Sequence, residues 1–197
     1  MITFSEVIRV KDGVLDNLQY HQDRVNSTAN KFYGKNIDLI SLVDSVPKEA
    51  FKGLYKCRIT YTDKIESINF TQYQKRIIKT ARVVVDNGIE YSYKSIDRDE
   101  LNSLLEKSGC DEIIIIKNGM ITDASAYNIV IRKGEKLYTP DSYLLRGTQR
   151  QALIDNRVLE EKHLCMEDLR MCDEVMFINA MNDLSDCQRV SLDNIMF

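Results

Sequence analysis

Proline and glycine are scarce, at 2 and 8 of 197 residues, so a long disordered linker is not expected. An excess of basic charge is absent too. Lys and Arg number 27 against 30 Asp and Glu, for a net charge of −3, and a nucleic-acid partner is therefore not expected. No apolar run approaches the ~20 residues of a membrane helix; Ile113 to Ile116 is typical of the short runs present. A membrane partner is not expected either. Residues 1–9 alternate and carry Glu6 and Arg9, which does not suit a signal peptide. With only two histidines, His21 and His163, little remains for a histidine metal site or a Ser-His triad. The five cysteines (Cys57, Cys110, Cys165, Cys172 and Cys187) are odd in number, widely spaced and without a CxxC pair. Disulfide scaffolds and zinc clusters fit this poorly, no metal is expected, and reduced thiols in a cytoplasmic protein are the ordinary reading.

What is present is a series of short alternating segments and clear turn signals. Residues 2–10 read as a strand, Lys11-Asp12-Gly13 as a hairpin turn and residues 14–18 as its return. Val25, Ala29 and Phe32 recur at helical spacing within residues 21–32, with Gly34 as a stop. Residues 37–46 suggest a second helix, ended before Pro47. Residues 54–61 and 65–70 form a hairpin pattern, and 82–86 a buried strand. Farther on, Leu101, Leu104 and Leu105 line one face of a helix over residues 98–107. Strands are expected at 111–116, 120–123, 128–131, 136–139, 174–178 and 188–191, and a helix at 147–156. This predicts an α+β chain with a small α+β domain over residues 1–85 and a larger one over 86–197. The latter is expected to be an antiparallel, barrel-like sheet with helices outside it.

The residues able to carry chemistry are ordinary when taken singly. Lys94 ends the polar tetrad Tyr91-Ser92-Tyr93-Lys94, and most such lysines are solvated surface charges. Asp123 at a strand end reads as a turn residue or cap. Gly147-Thr148-Gln149-Arg150 opens a helix whose first N–H groups suit a phosphate, although an ordinary capped helix explains the tetrad as well.

Their order is more specific. Residues 5–13 (Ser-Glu-Val-Ile-Arg-Val-Lys-Asp-Gly) are followed by His21-Gln22-Asp23-Arg24 and Lys94-Ser95-Ile96-Asp97-Arg98. Then come Gly119 to Ile129 (Gly-Met-Ile-Thr-Asp-Ala-Ser-Ala-Tyr-Asn-Ile), Thr139-Pro140 with Leu145 to Arg150, and Asp173 to Ala180. In this order, from about residue 5 to residue 184, the chain resembles the class-IV aminotransferase family. That family includes branched-chain and D-amino-acid aminotransferases and aminodeoxychorismate lyase. The resemblance implies a two-lobed fold-type-IV enzyme that uses pyridoxal 5′-phosphate (PLP). Lys94 would be the catalytic lysine that holds the cofactor aldehyde and moves protons at the substrate. Arg24, Gly147, Thr148, Gln149 and Ala180 would lie at the phosphate, Asp123 beside the pyridine nitrogen and Asn128 next to it.

There are departures from the family pattern. Asp123 stands where the family has Glu, Gln149 occupies the usual Thr place, and Ala180 replaces a Ser or Thr, which shifts phosphate binding toward backbone contacts. Against the family pattern, the chain is also expected to begin at the opening strand, without a leading segment that relatives have. The Lys94…Arg98 spacing resembles the lyase branch. The implied reaction is conversion of 4-amino-4-deoxychorismate to p-aminobenzoate and pyruvate, a step of folate biosynthesis. The alternatives are an aminotransferase for an amino acid and a 2-oxo acid, and a non-catalytic family member. A small-molecule amine substrate and a homodimer are implied with it. His21 is expected to pack or cap near Arg24. Tyr91 and Tyr93 are expected to line the cleft or simply to alternate along a strand, and Cys57 and Cys110 to be small core residues.

Overall fold

The opening alternation forms β1 (Phe4–Lys11), which turns at Asp12 and Gly13 and returns as β2 (Val14–Leu15). Both turn residues have positive φ, 49° and 86°, the twist that a two-residue hairpin requires. The computed structural model describes residues 1–197, and its chain divides into two compact units. The first comprises Met1–Lys75 and Tyr93–Asp97; the second comprises Arg76–Ser92 and Arg98–Phe197.

In the first unit, α1 (Leu18–Tyr33) begins three residues earlier than its apolar spacing suggests, because Asn17 takes a left-handed conformation (φ 53°) and reverses the chain directly after β2. Gly34, at φ 65°, closes the helix and donates its N–H to Asn30 O. The helix expected over residues 37–46 is instead a 3₁₀ run, Ile40–Ser45. Side chains take the amides that would start a regular helix: Asn26 accepts from Ile37 N, Gln22 from Leu39 N and Asp38 from Ile40 N. β3 (Leu54–Tyr61) and β4 (Ile65–Gln72) form the expected hairpin, and the antiparallel sheet runs β2-β1-β3-β4. Ile8, Val10, Val25, Ala29, Cys57 and Ile59 fill its core. The buried Phe4 ring lies 4.8 Å from Phe32, 5.9 Å from Tyr61 and 6.4 Å from Tyr93.

The second unit holds β5 (Ala81–Val85), α2 (Asp99–Ser108), β6 (Glu112–Lys117), β7 (Met120–Ile121), β8 (Asn128–Lys133) and β9 (Lys136–Pro140). Then follow α3 (Thr148–Asp155), β10 (Glu160–Lys162), α4 (Met166–Arg170), β11 (Glu174–Ile178), β12 (Gln188–Val190) and β13 (Ile195–Met196). Two sheets form, β13-β5-β6-β7 and β10-β9-β8-β11-β12. The ladders among β8, β9, β11 and β12 are antiparallel, as the hairpin signals imply. The pairs β5–β6, β5–β13 and β9–β10 are parallel. The four consecutive isoleucines of β6 are buried on both faces. Ile113 and Ile115 pack with Leu101 of α2, and Ile114 and Ile116 pack with Ile129 and Phe177, which is why this strand does not alternate. No helix is long and apolar enough to cross a membrane.

The units do not follow a single cut between residues 85 and 86. β5 belongs to the second unit because it pairs with β6. Lys94 belongs to the first, because Ser95 bridges Phe4 in antiparallel register and Ser5 donates its N–H to Lys94 O at 2.9 Å. That pairing joins residues some ninety positions apart in sequence, which no local pattern reveals.

Phe4 is thus both the hub of the aromatic cluster and the docking point of the lysine segment. Phe4→Ala is expected to lower the unfolding free energy by about 3–5 kcal/mol, read by urea denaturation; a loss below about 1 kcal/mol would show that the cluster repacks around the gap.

Candidate active site

Two cationic side chains of the expected site lie in the first unit. Arg24 projects from α1 one turn after His21, so the two share a helix face, and both reach the same carboxylate. Arg24 Nε donates to Glu6 Oε1 at 2.8 Å and Nη2 to Oε2 at 2.6 Å, while His21 Nδ1 lies 2.7 Å from Oε2. Glu6 and His21 are fully buried. Burial alone would push the Glu6 carboxyl up, but the Arg24 charge and the His21 hydrogen bond outweigh it and hold the pKa at about 2. Burial, helped by the charges of Arg24 and Lys94, moves His21 below its ordinary value against the pull of Glu6. His21 is therefore neutral near pH 7 and, with an ionised carboxylate beside it, donates from Nδ1. Lys94 is half-buried, and its charge is felt at His21.

Sequence reasoning placed His21 near Arg24 but missed Glu6. The signal was available. Phe4, Glu6, Ile8 and Val10 fall on one face of β1 by the two-residue period, and a lone carboxylate in an apolar phase needs a buried partner. Tyr93 packs against Phe4 and Phe32 in the first unit's core, and Tyr91 lies under the Arg98 guanidinium in the second unit, 5.7 Å away.

The other expected residues lie in the second unit, on three linked turns. Asp123 and Asn128 face each other across the first turn as an isolated bridge. Asp123 Oδ1 accepts from Asn128 Nδ2 at 2.7 Å, and Oδ2 accepts from Leu144 N at 3.0 Å and Leu145 N at 2.8 Å. Burial raises the Asp123 pKa to about 6, even though the Leu145 and Leu144 amides, Asn128 and the Arg150 charge all favour the ion. Asn128 Nδ2 also donates to Leu145 O at 3.0 Å, and its Oδ1 occupies the space where a Gly147 side chain would begin: a Cβ there would fall 1.7 Å from it. Gly147 is thus glycine to admit Asn128.

Gly147 also opens α3, with no side-chain cap and no acid in the first turn. Thr148 and Gln149 follow it, both buried. The Gln149 side chain donates to Asp183 Oδ1 at 3.0 Å, which ties this helix start to the turn after β11 that carries Ala180. Asn179, beside Ala180, donates to Ala126 O at 3.0 Å and closes the set.

Two further residues hold the first turn. Glu112 Oε1 accepts from Ser125 N at 2.9 Å, and Arg98 Nη2 donates to Ser125 O at 2.6 Å. Arg98 was recognised only as part of the lysine segment, and nothing marked Glu112, since acids flanking a strand are usually solvated.

Two outcomes follow from this geometry. Gly147→Ala is expected to displace Asn128 and cost about 1–3 kcal/mol of stability, measured by thermal unfolding. Asp123 binds its proton more tightly in the folded chain (about 6, against an ordinary 3.8). It therefore favours folding at low pH, and about 2 kcal/mol of that contribution is lost as the pH rises from 4 to 6. The unfolding free energy of Asp123→Asn minus that of the wild type should accordingly climb across this window and level off above it. A difference that stays constant from pH 4 to 6 would mean that the carboxyl titrates normally.

Residues 3–190 match the model of the family described as amino-transferase class IV. An uncharacterized protein of Haemophilus influenzae is 39% identical over 189 residues, covering 93% of this chain and 100% of that protein. The crystal structure of a candidate 4-amino-4-deoxychorismate lyase of Haemophilus somnus is similar at a TM-score of 0.85 and 34% identity, over 93% of this chain and 98% of that one. The PLP-bound form of a hypothetical aminotransferase of Mycobacterium tuberculosis shares the fold, with a TM-score of 0.79 at 18% identity over 98% of this chain and 82% of that one. The chain belongs to the class IV aminotransferase family of pyridoxal-phosphate-dependent enzymes and has their fold-type-IV architecture.

Proposed function

We propose that the chain is a PLP-dependent lyase that converts 4-amino-4-deoxychorismate to p-aminobenzoate and pyruvate, working on this small amine as a homodimer. The observation that carries the reading is the likeness to the Haemophilus somnus protein, which extends over nearly the whole of both chains at 34% identity. The Lys94…Arg98 spacing of the lyase branch agrees with it.

The donor set suits an aldehyde that bears a phosphate. Lys94 supplies a primary amine in a half-buried position. Arg24 supplies a guanidinium whose orientation is already set by Glu6. Gly147 opens α3 without a side-chain cap, and the first turn of the helix carries no acidic residue of its own, so the helix dipole there favours an anion. These groups would hold the cofactor, with Gly147 and Ala180 allowing close approach of the phosphate. When bound, PLP supplies an aldehyde that condenses with amines and a ring that accepts electrons.

Lys94 Nζ would anchor the cofactor at rest and, once the substrate amine has displaced it, take the proton from the substrate's ring carbon as pyruvate departs. Asp123 would be ionised above pH ~6 and would face the pyridine nitrogen. Three of the roughly four lone-pair sites of a carboxylate are taken by protein donors. Oδ1, which accepts one bond, is the oxygen with room for a ring N–H. Asn128 holds that oxygen in place.

Incubation of the PLP-loaded protein with 4-amino-4-deoxychorismate should release pyruvate, detected with lactate dehydrogenase. Lys94→Ala should reduce that release by about 10³-fold or more. Borohydride reduction should fix the cofactor mass to the peptide containing Lys94. Absence of pyruvate, with bleaching of the PLP absorbance by an amino acid, would assign an aminotransferase instead, and a preparation that stays colourless with added PLP would sink the cofactor assignment.

A further inference from the structure

Glu6 has no part in the chemistry above, yet it is the one fully buried carboxylate of the first unit. It sits next to Ser5 on β1, and these two neighbours hold both cationic groups of the site. Ser5 N donates to the main chain of Lys94, and Glu6 grips the guanidinium of Arg24 at 2.6 and 2.8 Å. The grip takes the Nε–Nη2 edge of the fork, and His21, at 2.7 Å, stops the carboxylate from rotating away. Thr28 Oγ1, one turn on, donates to Arg24 O at 2.9 Å, so the helix turn that carries the arginine is held as well.

We infer that Glu6 is a positioning residue: by holding Nε and Nη2 of Arg24 it fixes the orientation in which the guanidinium would meet the cofactor phosphate, and so sets how strongly the protein prefers PLP over unphosphorylated pyridoxal. The inference rests on the reading that Arg24 meets that phosphate. Glu6 acts through geometry and not through its charge. A carboxylate near a phosphate repels it, so removing only the charge would tighten anion binding. Losing the grip acts the other way. The Arg24 side chain is only 13% exposed, and a guanidinium released from the carboxylate that holds Nε and Nη2 loses the orientation those two bonds set. Orientation in a bidentate site is lost with a shift of about 1 Å, and this effect is the larger.

The test is the dissociation constant for PLP and for pyridoxal, titrated spectroscopically with the full chain, in the wild type, Glu6→Gln, Glu6→Asp, Arg24→Gln and the Glu6→Gln/Arg24→Gln double variant. Glu6→Gln is expected to weaken PLP binding about tenfold or more and to leave pyridoxal within about twofold. Glu6→Asp, which keeps the charge and loses the reach, should behave in the same way. Adding Glu6→Gln to Arg24→Gln should change the ratio no further. A wild-type ratio in Glu6→Asp would overturn the inference, since charge alone would then suffice. So would parallel loss of both ligands, which marks a purely structural residue, or additive effects in the double variant. A wild-type ratio in Arg24→Gln would instead remove the phosphate reading of Arg24 on which the inference stands. If Glu6→Gln does not fold, Glu6→Asp decides alone.

Discussion

A carboxylate fully removed from water at Glu6 is the constraint around which the first unit is arranged. Burying an isolated carboxylate costs several kcal/mol, so the position is tolerated only because Arg24 and His21 close on it from α1. That closure fixes three things together. It sets the phase of β1, since a one-residue slip would put Glu6 on the opposite face of the strand, away from Arg24 and His21. It locks the height of α1 against the sheet, because the two donors lie one turn apart on the helix. It also leaves Phe4 and Ser5 placed to receive the segment that carries Lys94. His21 stays neutral, so the buried group reduces to one anion and one cation, an arrangement a protein interior can hold.

The second unit obtains rigidity differently. Its site turns are held by side chains that bond to main-chain groups. Asp123 takes two consecutive amides, Glu112 and Arg98 take the two sides of residue 125, and Asn179 takes the carbonyl of residue 126. Every one of these bonds crosses from one turn or strand to another, so the start of α3 inherits its position from residues far from it in sequence. Preorganisation of this kind spares a site the ordering that ligand binding would otherwise require.

Two of the residues that depart from the family pattern, Gln149 and Asp123, find a physical account in this lattice. Gln149 reaches Asp183 and holds two turns together, while its backbone remains in the first turn of α3, where an anion would be met by N–H groups in place of a hydroxyl. Asp123, shorter by a methylene than the glutamate it replaces, stays against the amides of Leu144 and Leu145. Burial still makes its proton harder to lose, and the three donors together with the Arg150 charge are what oppose that shift.

The sequence by itself determined whatever is local. Asp12-Gly13 and Asn118-Gly119 take the positive φ values that make hairpins, Gly34 ends α1, and Leu101, Leu104 and Leu105 face one way on α2. The order of the motifs named the family, because residue types at fixed positions survive without any knowledge of contacts. Tertiary structure alone decided the rest. It returned Lys94 to the first unit, gave Glu6 its partners, turned residues 40–45 into a 3₁₀ run and paired β5 with β6 in parallel. Each of these depends on hydrogen bonds between residues distant in the chain, such as Ser5 with Lys94 or Gln22 with Leu39. A local period reports which face of an element is apolar; it carries no information about which distant group will satisfy a buried charge or an unpaired amide.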